Sequence, residues 1–212
     1  LGPGATIPVT DCAILGNVHV GMGDFGGGIM CDTGANATIA RCLIAANTGR
    51  FGGGLGCIMS SPTVEHCVIS GNKAATWETN ADGRRHGSGG GGVFAHNDAS
   101  PTITNCLISG NYIVNWGAGA LYCQGDSHPR LTNCTISRNR GWNTDDRENL
   151  SGVVVNTGSC PVLTNCIIEG HPNIAIYEEH DDSNVSAIHC LFHNNATADF
   201  RNQNDGANAT YT

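Results

Sequence analysis

One short pattern occurs seven times along this chain, and each copy is centred on a cysteine. An apolar residue lies three positions before the cysteine and another lies two positions after it, as Val64 and Ile69 do around Cys67. The repeat cysteines are Cys12, Cys42, Cys67, Cys106, Cys134, Cys166 and Cys190. Recurrence of this kind indicates a repeat architecture in which each copy forms one supersecondary unit.

The apolar residues of each copy lie two apart, in short β-branched runs interrupted by Gly and Asn, which is the spacing of strands and not of helices. The copies are 24 to 39 residues apart, mostly fewer than the about 40 that a propeller blade requires. We therefore predict an all-β fold, a single right-handed parallel β-helix of about seven coils over residues 1–212. Equivalent residues of successive coils are then expected to stack at about 4.8 Å.

An asparagine follows the repeat cysteine by five positions in six copies, and His171 takes its place in the other. These residues are Asn17, Asn47, Asn72, Asn111, Asn139 and Asn195. We predict that the asparagine occupies a left-handed turn and that its amide bonds the same amide one coil away. The glycine runs at 26–28, 52–54 and 90–92 are expected to let the chain bend without a Cβ clash.

Eleven cysteines invite a disulfide or a metal interpretation, but a second column indicates stacking. Cys31, Cys57 and Cys123 lie 10 or 11 residues before the next repeat cysteine, with Ala95 and Asn156 at the equivalent places and Cys160 left over. Buried free thiols are favoured over a disulfide, because the Cβ vectors of stacked cysteines run parallel and an odd number cannot pair completely. A metal site is the least favoured, since no zinc-type spacing occurs.

The charge balance excludes some classes of protein. Ten basic residues against 18 acidic ones give a net charge of −8, whereas a nucleic-acid binder needs clustered Lys and Arg. No apolar stretch reaches the about 18 to 20 residues of a membrane span, and no signal-peptide pattern opens the chain. Nucleic acid and a membrane span are therefore not expected.

Two motifs carry a family resemblance. Glycine runs end on Ile, Leu or Val at 26–29, 52–55 and 90–93, and (Ile/Phe)-x-x-Asn segments lie at 69–72 and 192–195. The chain resembles the parallel β-helix repeat proteins of the pectate-lyase-like superfamily. More narrowly, these motifs are similar to the GGA(I/L/V) and FxxN repeats of bacterial polymorphic outer-membrane adhesins, although a third glycine usually replaces the alanine. The resemblance spans Thr6 to about Asn195. It implies a β-helix with an extracellular, bacterial surface role and no particular reaction, because this solenoid carries many activities.

Five aromatic residues lie in the inserts between the turn asparagine and the glycine run, in five consecutive coils. They are Phe25, Phe51, Trp77, Trp116 and Trp142. Because inserts of a solenoid project from one side, these rings predict a contact row for sugar rings or a neighbouring protomer. The alternative is that each ring folds down and covers its own loop.

A carbohydrate-active β-helix needs paired carboxylates, or a basic residue beside a calcium-binding acidic cluster, on one face. The third and fifth inserts hold the candidates, which are Arg84, Arg85, His86, Asp145 and Asp146. A lyase or epimerase using these residues, with Ca²⁺ as cofactor, is the alternative function. The simpler interpretation is that both inserts are solvated, charge-balanced loops, which predicts no catalytic residue, cofactor or metal.

The residue directly after each repeat cysteine is mostly apolar, and strand alternation points it outward. This set, which we call the apolar file, consists of Ala13, Leu43, Val68, Leu107, Thr135, Ile167 and Leu191. A continuous apolar stripe on a solenoid predicts lateral packing. The first coil begins within about six residues of Leu1 without a polar cap, which predicts head-to-tail stacking or continuation in a longer chain.

Together these features favour a non-enzymatic protein, secreted or displayed on a bacterial surface, with a structural, adhesive or fibre-forming role. Self-association is the expected partnership, and carbohydrate is a second candidate partner. Asn-x-Ser/Thr sequons make Asn36, Asn149, Asn184 and Asn208 candidate glycosylation sites.

Overall fold

The structure is a computed structural model that describes residues 1–19, 25–75, 88–114, 117–142 and 150–202, with residues 142, 150 and 151 described by their backbone alone. The described residues form short strands joined by turns. In chain order the strands are β1 Val9–Thr10, β2 Ala13–Leu15, β3 Val18–His19, β4 Ile29–Asp32, β5 Thr38–Ala40, β6 Leu43–Ala45, β7 Thr48–Gly49, β8 Leu55–Ile58, β9 Thr63–Glu65, β10 Val68–Ser70, β11 Lys73–Ala74, β12 Val93–His96, β13 Thr102–Thr104, β14 Leu107–Ser109, β15 Tyr112–Val114, β16 Leu121–Gln124, β17 Arg130–Thr132, β18 Thr135–Ser137, β19 Arg140–Trp142, β20 Leu150–Val155, β21 Val162–Thr164, β22 Ile167–Glu169, β23 Ile174–Glu178, β24 Ser186–Ile188, β25 Leu191–His193 and β26 Ala198–Asn202.

These strands form four parallel sheets in which each strand pairs with its equivalent one coil away. Sheet I has the order β1-β5-β9-β13-β17-β21-β24, sheet II β2-β6-β10-β14-β18-β22-β25, sheet III β19-β15-β11-β7-β3 and sheet IV β26-β23-β20-β16-β12-β8-β4. Ile69 pairs with Ile44 on one side and Ile108 on the other, as the repeat alignment requires. The predicted parallel solenoid is therefore confirmed, with a coil count close to the prediction.

The core is a thin column of stacked small and medium side chains. The isoleucines two positions after the repeat cysteine are fully buried, at Ile44, Ile69, Ile108, Ile136 and Ile168. The repeat cysteines stack beside them, since the Cys42 amide donates to the Cys67 Sγ at 3.4 Å and the Cys67 amide to the Cys106 Sγ at 3.3 Å. Few large side chains are needed, because each coil lies one strand spacing from the next.

The asparagines form the predicted ladder. Each Nδ2 donates to the Oδ1 of the next asparagine, at 2.9 Å from Asn17 to Asn47 and 3.0 Å from Asn47 to Asn72, from Asn72 to Asn111 and from Asn111 to Asn139. The prediction that the asparagine adopts the left-handed conformation is wrong. The residue before it adopts that conformation, as Ala46, Gly71 and Arg138 do. The turn therefore lies on the preceding residue, and the asparagine is free to point inward and bond along the rod axis.

The glycine runs serve close approach as well as turning. A Cβ on Gly91 would lie 2.5 Å from the Tyr112 carbonyl oxygen and 2.7 Å from that of Gly119. Gly54 and Gly92 face the ladder asparagines at similarly short range. Backbone from sheet III thus occupies the space that a side chain would need, which only glycine permits.

The second cysteine column changes character toward the end of the rod. Its members stack in register through Cys31, Cys57, Ala95, Cys123 and Val155. The prediction that Asn156 belongs to this column is therefore wrong by one position, since Val155 pairs with Cys123. The length of the fifth insert does not show at which residue the next strand resumes the register. The next member is Glu178, which is buried and accepts hydrogen bonds from the Val185 amide at 2.6 Å and the Asn202 Nδ2 at 3.0 Å.

Candidate functional site

The apolar file lies on the outer surface of sheet II. Its members pair in one continuous register from Ala13 to Leu191. The large side chains are each 36 to 57% exposed, at Leu43, Val68, Leu107, Ile167 and Leu191. The strands therefore present to water a row of side chains that is apolar in every coil except that of Thr135. Such a row forms a larger apolar surface than the single exposed apolar residues of ordinary protein surfaces.

The neighbouring outward positions on sheet II are small and uncharged. Beside the apolar file run Ala45, Ser70, Ser109 and Ser137. The first acidic side chain on these strands is Glu169, opposite Ser137. From β6 to β18 the face of sheet II thus carries no charged side chain, in a chain with 28 charged residues.

Two of the predicted contact rings pack onto sheet IV instead of projecting from it. Phe25 and Phe51 are half-buried and stack with ring centroids 5.2 Å apart, and Phe51 lies 4.9 Å from Phe94. Phe94 in turn lies 5.7 Å from Tyr122. These rings form a second apolar cluster on the outer side of sheet IV, in which each ring stacks on a ring of a neighbouring coil. Trp77 and Trp116 lie outside the described residues. Of Trp142, on β19, the structure describes only the backbone, which pairs with Val114 on β15.

Phe94 and Tyr122, which the repeat pattern does not predict as part of this cluster, are both buried. Burial raises the pKa of the Tyr122 hydroxyl, and the nearby Glu179 carboxylate raises it further. The Asn156 Nδ2 donates to the Tyr122 hydroxyl at 3.2 Å and to the Glu179 Oε2 at 2.6 Å. A signal was present in the sequence, because both rings directly follow the apolar residue that ends a glycine or alanine run.

A cation–aromatic row lies on the outer face of sheet III. Lys73, Tyr112 and Arg140 occupy the same position in successive coils. The Lys73 Nζ lies 5.7 Å and the Arg140 guanidinium carbon 5.3 Å from the Tyr112 ring centroid. Each cation is close enough for attraction to the ring face, so this row stabilises the coil-to-coil contact on the surface.

The remaining sequence candidates are divided between described and undescribed residues. Arg84, Arg85, His86, Asp145 and Asp146 all lie outside the described residues, as do Asn149 and Asn208. Asn36 and Asn184 are exposed, and the Asn36 Oδ1 accepts a hydrogen bond from the Ser61 amide at 2.9 Å. Among the described residues no group of three or more His, Cys, Asp or Glu side chains is arranged to hold a metal ion.

All eleven cysteines are free thiols, and eight of them are buried. Burial raises the pKa of the Cys31 thiol to about 11 and raises those of Cys57 and Cys123 as well. Neutral, buried thiols are poor nucleophiles, because the thiolate is the reactive form. Cys31, Cys57 and Cys123 therefore act as small apolar groups of the core.

Thiol labelling should therefore separate the cysteines into two classes. In the native protein we expect a maleimide to label the exposed Cys12 and the half-buried Cys160 and Cys190, and all eleven thiols to react after denaturation without reductant. Intact-mass spectrometry with peptide mapping counts and locates the labels. Native labelling of Cys67 or Cys106, or fewer than eleven labels after denaturation, would contradict the stacked free-thiol core.

No helix of the described residues has the length and apolar character of a membrane span. A family model described as "Right handed beta helix region" matches residues 79–211, more than half of the chain. A search of curated proteins found no significant match.

Proposed function

This chain belongs to the right-handed β-helix family, and from that premise we propose that it is a non-enzymatic structural scaffold whose apolar file packs against the same file of a second copy. The observation that carries this proposal is the exposed, in-register row of Leu43, Val68, Leu107 and Ile167 on sheet II. Burial of such a row against an equally apolar surface is favourable by about 25 cal/mol per Å² of apolar area removed from water.

Charge indicates which face two copies would use. Each chain carries a net charge of −8, so most approaches between two copies are opposed by repulsion. The neutral strip of sheet II from β6 to β18 opposes such an approach least. Uncharged, apolar centres are also typical of the cores of protein–protein interfaces.

Two lysines placed on the apolar file should weaken this association. We expect the unmodified chain to self-associate between about 1 and about 100 µM in sedimentation velocity. The double variant Val68→Lys, Leu107→Lys should weaken association at least about tenfold, because it would bury like charges opposite each other.

The matched control is Thr63→Lys, Thr102→Lys, which adds the same charges to the same two coils on the outer face of sheet I. It should associate like the unmodified chain. A chain that is monomeric at every concentration, or a control that dissociates as much as the apolar-file variant, would refute the proposal.

The surface-displayed location, the bacterial origin, head-to-tail stacking, glycosylation and carbohydrate binding remain predictions from the sequence. The alternative of a polysaccharide lyase or epimerase rests on inserts outside the described residues, so no described contact favours it. Release of unsaturated product from uronic-acid polymers with Ca²⁺, lost in Arg84→Ala or Asp145→Ala, would establish that alternative in place of the scaffold role.

A further inference from the structure

The asparagine ladder is interrupted at one position by a fully buried histidine. His171 occupies the place of the ladder asparagine between Asn139 and Asn195, with 0% of its surface exposed. Its backbone amide donates to the Asn195 Oδ1 at 3.2 Å, and its Nδ1 lies 3.1 Å from the Asn139 carbonyl oxygen. The ring therefore continues the ladder with a different group.

The residue after the histidine explains why an imidazole is present. In the preceding coils the residue after each ladder asparagine donates its amide to the carbonyl of the asparagine one coil earlier. These bonds are Thr48 to Asn17 at 2.7 Å, Lys73 to Asn47 at 2.8 Å, Tyr112 to Asn72 at 2.9 Å and Arg140 to Asn111 at 2.9 Å. The next residue in this series is Pro172, which has no amide hydrogen to donate to Asn139.

The His171 Nδ1–H replaces that missing donor, and it satisfies a carbonyl that would otherwise be buried without a partner. For the same reason sheet III ends at β19, while the other three sheets continue to the last coils. Since a carbonyl oxygen only accepts, this contact fixes the proton of the neutral ring on Nδ1. The Nε2 atom is then an unprotonated acceptor, buried and without a partner among the described residues.

The surroundings of the ring oppose a positive charge. Burial is the largest influence and lowers the pKa of His171, while the carbonyls of Asn139 and Ile136 and the Glu169 carboxylate act in the opposite direction. The charged or titratable groups on the elements packed around this position are Arg138, Arg140, Glu169, His193 and Asp199.

We propose that His171 is a pH-sensitive latch that holds the last coils, residues 171–202, onto the rod while its ring is neutral and releases them when the ring is protonated. The native ring binds its second proton less readily than the released ring, whose pKa is about 6.5. Stability of the closed form is therefore fully present above about pH 6.5 and is lost as the pH falls below that value, by up to about tenfold per pH unit. A solenoid can open in this way because each coil contacts only its neighbours.

Hydrogen exchange at two pH values tests the latch. Protection factors of peptides covering β25 and β26, corrected for intrinsic exchange rates, should fall by up to about tenfold between about pH 7.5 and about pH 5.5. The double variant His171→Asn, Pro172→Ala restores both the amide ladder and the missing backbone donor. Between the same two pH values the protection factors of this variant should change less than about twofold. The variant keeps the exposed His180, His189 and His193, so any change that remains measures their contribution. Peptides covering β9 to β14 report on the rest of the rod in the same samples.

Equal loss of protection in the double variant, or no loss in the unmodified chain, would overturn the latch. If the double variant does not fold, an NMR titration of the unmodified chain decides the matter. The His171 ring should titrate below about pH 6.5, together with loss of the amide signals of β25 and β26. A midpoint at or above that value, or titration with those amide signals unchanged, would overturn the proposal.

Discussion

Replacing Asn111 with alanine is expected to lower the free energy of unfolding by about 3 to 5 kcal/mol, because it breaks the amide ladder in the middle of the rod. The Asn111 Nδ2 donates to the Ile69 carbonyl at 2.9 Å and to the Asn139 Oδ1 at 3.0 Å. Its Oδ1 accepts from the Asn72 amide at 2.9 Å and the Asn72 Nδ2 at 3.0 Å. Alanine would take this partner from the Ile69 carbonyl and the Asn72 amide, at a cost of about 1 to 3 kcal/mol for each group. The Asn72 Nδ2 and the Asn139 Oδ1 would keep their bonds to the Ile44 carbonyl and to the backbone amide of residue 111.

Urea unfolding followed by far-ultraviolet circular dichroism measures the loss. Asn17→Ala is the matched control, because Asn17 is exposed and its side chain donates a single ladder bond, to Asn47. That change should cost less than about 1 kcal/mol. Equal losses at the two positions would show that the ladder contributes little and that the apolar files carry the stability.

Gly91→Ala should destabilise the rod by at least about 4 kcal/mol or prevent folding, because the new methyl group would collide with backbone. The Cβ would lie 2.5 Å from the Tyr112 carbonyl oxygen and 2.7 Å from that of Gly119, and neither can move without shifting a whole coil. The change therefore forces sheets III and IV apart at this level.

Gly110→Ala separates close approach from backbone conformation. Gly110 has a φ of 61°, but nothing lies within 4 Å of its Cβ position. Alanine there should cost only the left-handed conformation, about 1 to 2 kcal/mol. Thermal unfolding of both variants beside the parent gives the comparison, and similar losses would mean that conformation, and not backbone contact, selects glycine at position 91.

Much of the fold could be predicted from the repeat, because stacking makes each coil's sequence report on the same local environment. Cys42, Cys67 and Cys106 were aligned by sequence alone, and the sheet register places them in one column. The outward direction of Leu43 and Val68 followed from the same alignment and strand alternation. The repeat also predicted the amide ladder through Asn47, Asn72 and Asn111, although it placed the left-handed turn one residue late.

The candidate sites were harder to predict, because they depend on groups that come together from different coils and do not repeat. Phe25 and Phe51 share a position in the repeat, but the surface they cover includes Phe94 and Tyr122, which occupy a different position. Likewise, Asn156 was misplaced because a single alignment cannot show where an insert ends and the next strand resumes its register.

Sequence alone determined that this chain is a stack of parallel strands with inward cysteines and asparagines and an outward apolar file, since a repeated pattern allows one arrangement that buries every copy in the same way. Only the tertiary structure revealed that Pro172 leaves the Asn139 carbonyl without a donor and that the His171 ring supplies one. Equivalent positions one coil apart are separated by 24 to 39 residues along the chain. Whether they meet is decided by the length of each insert and the geometry of the turns.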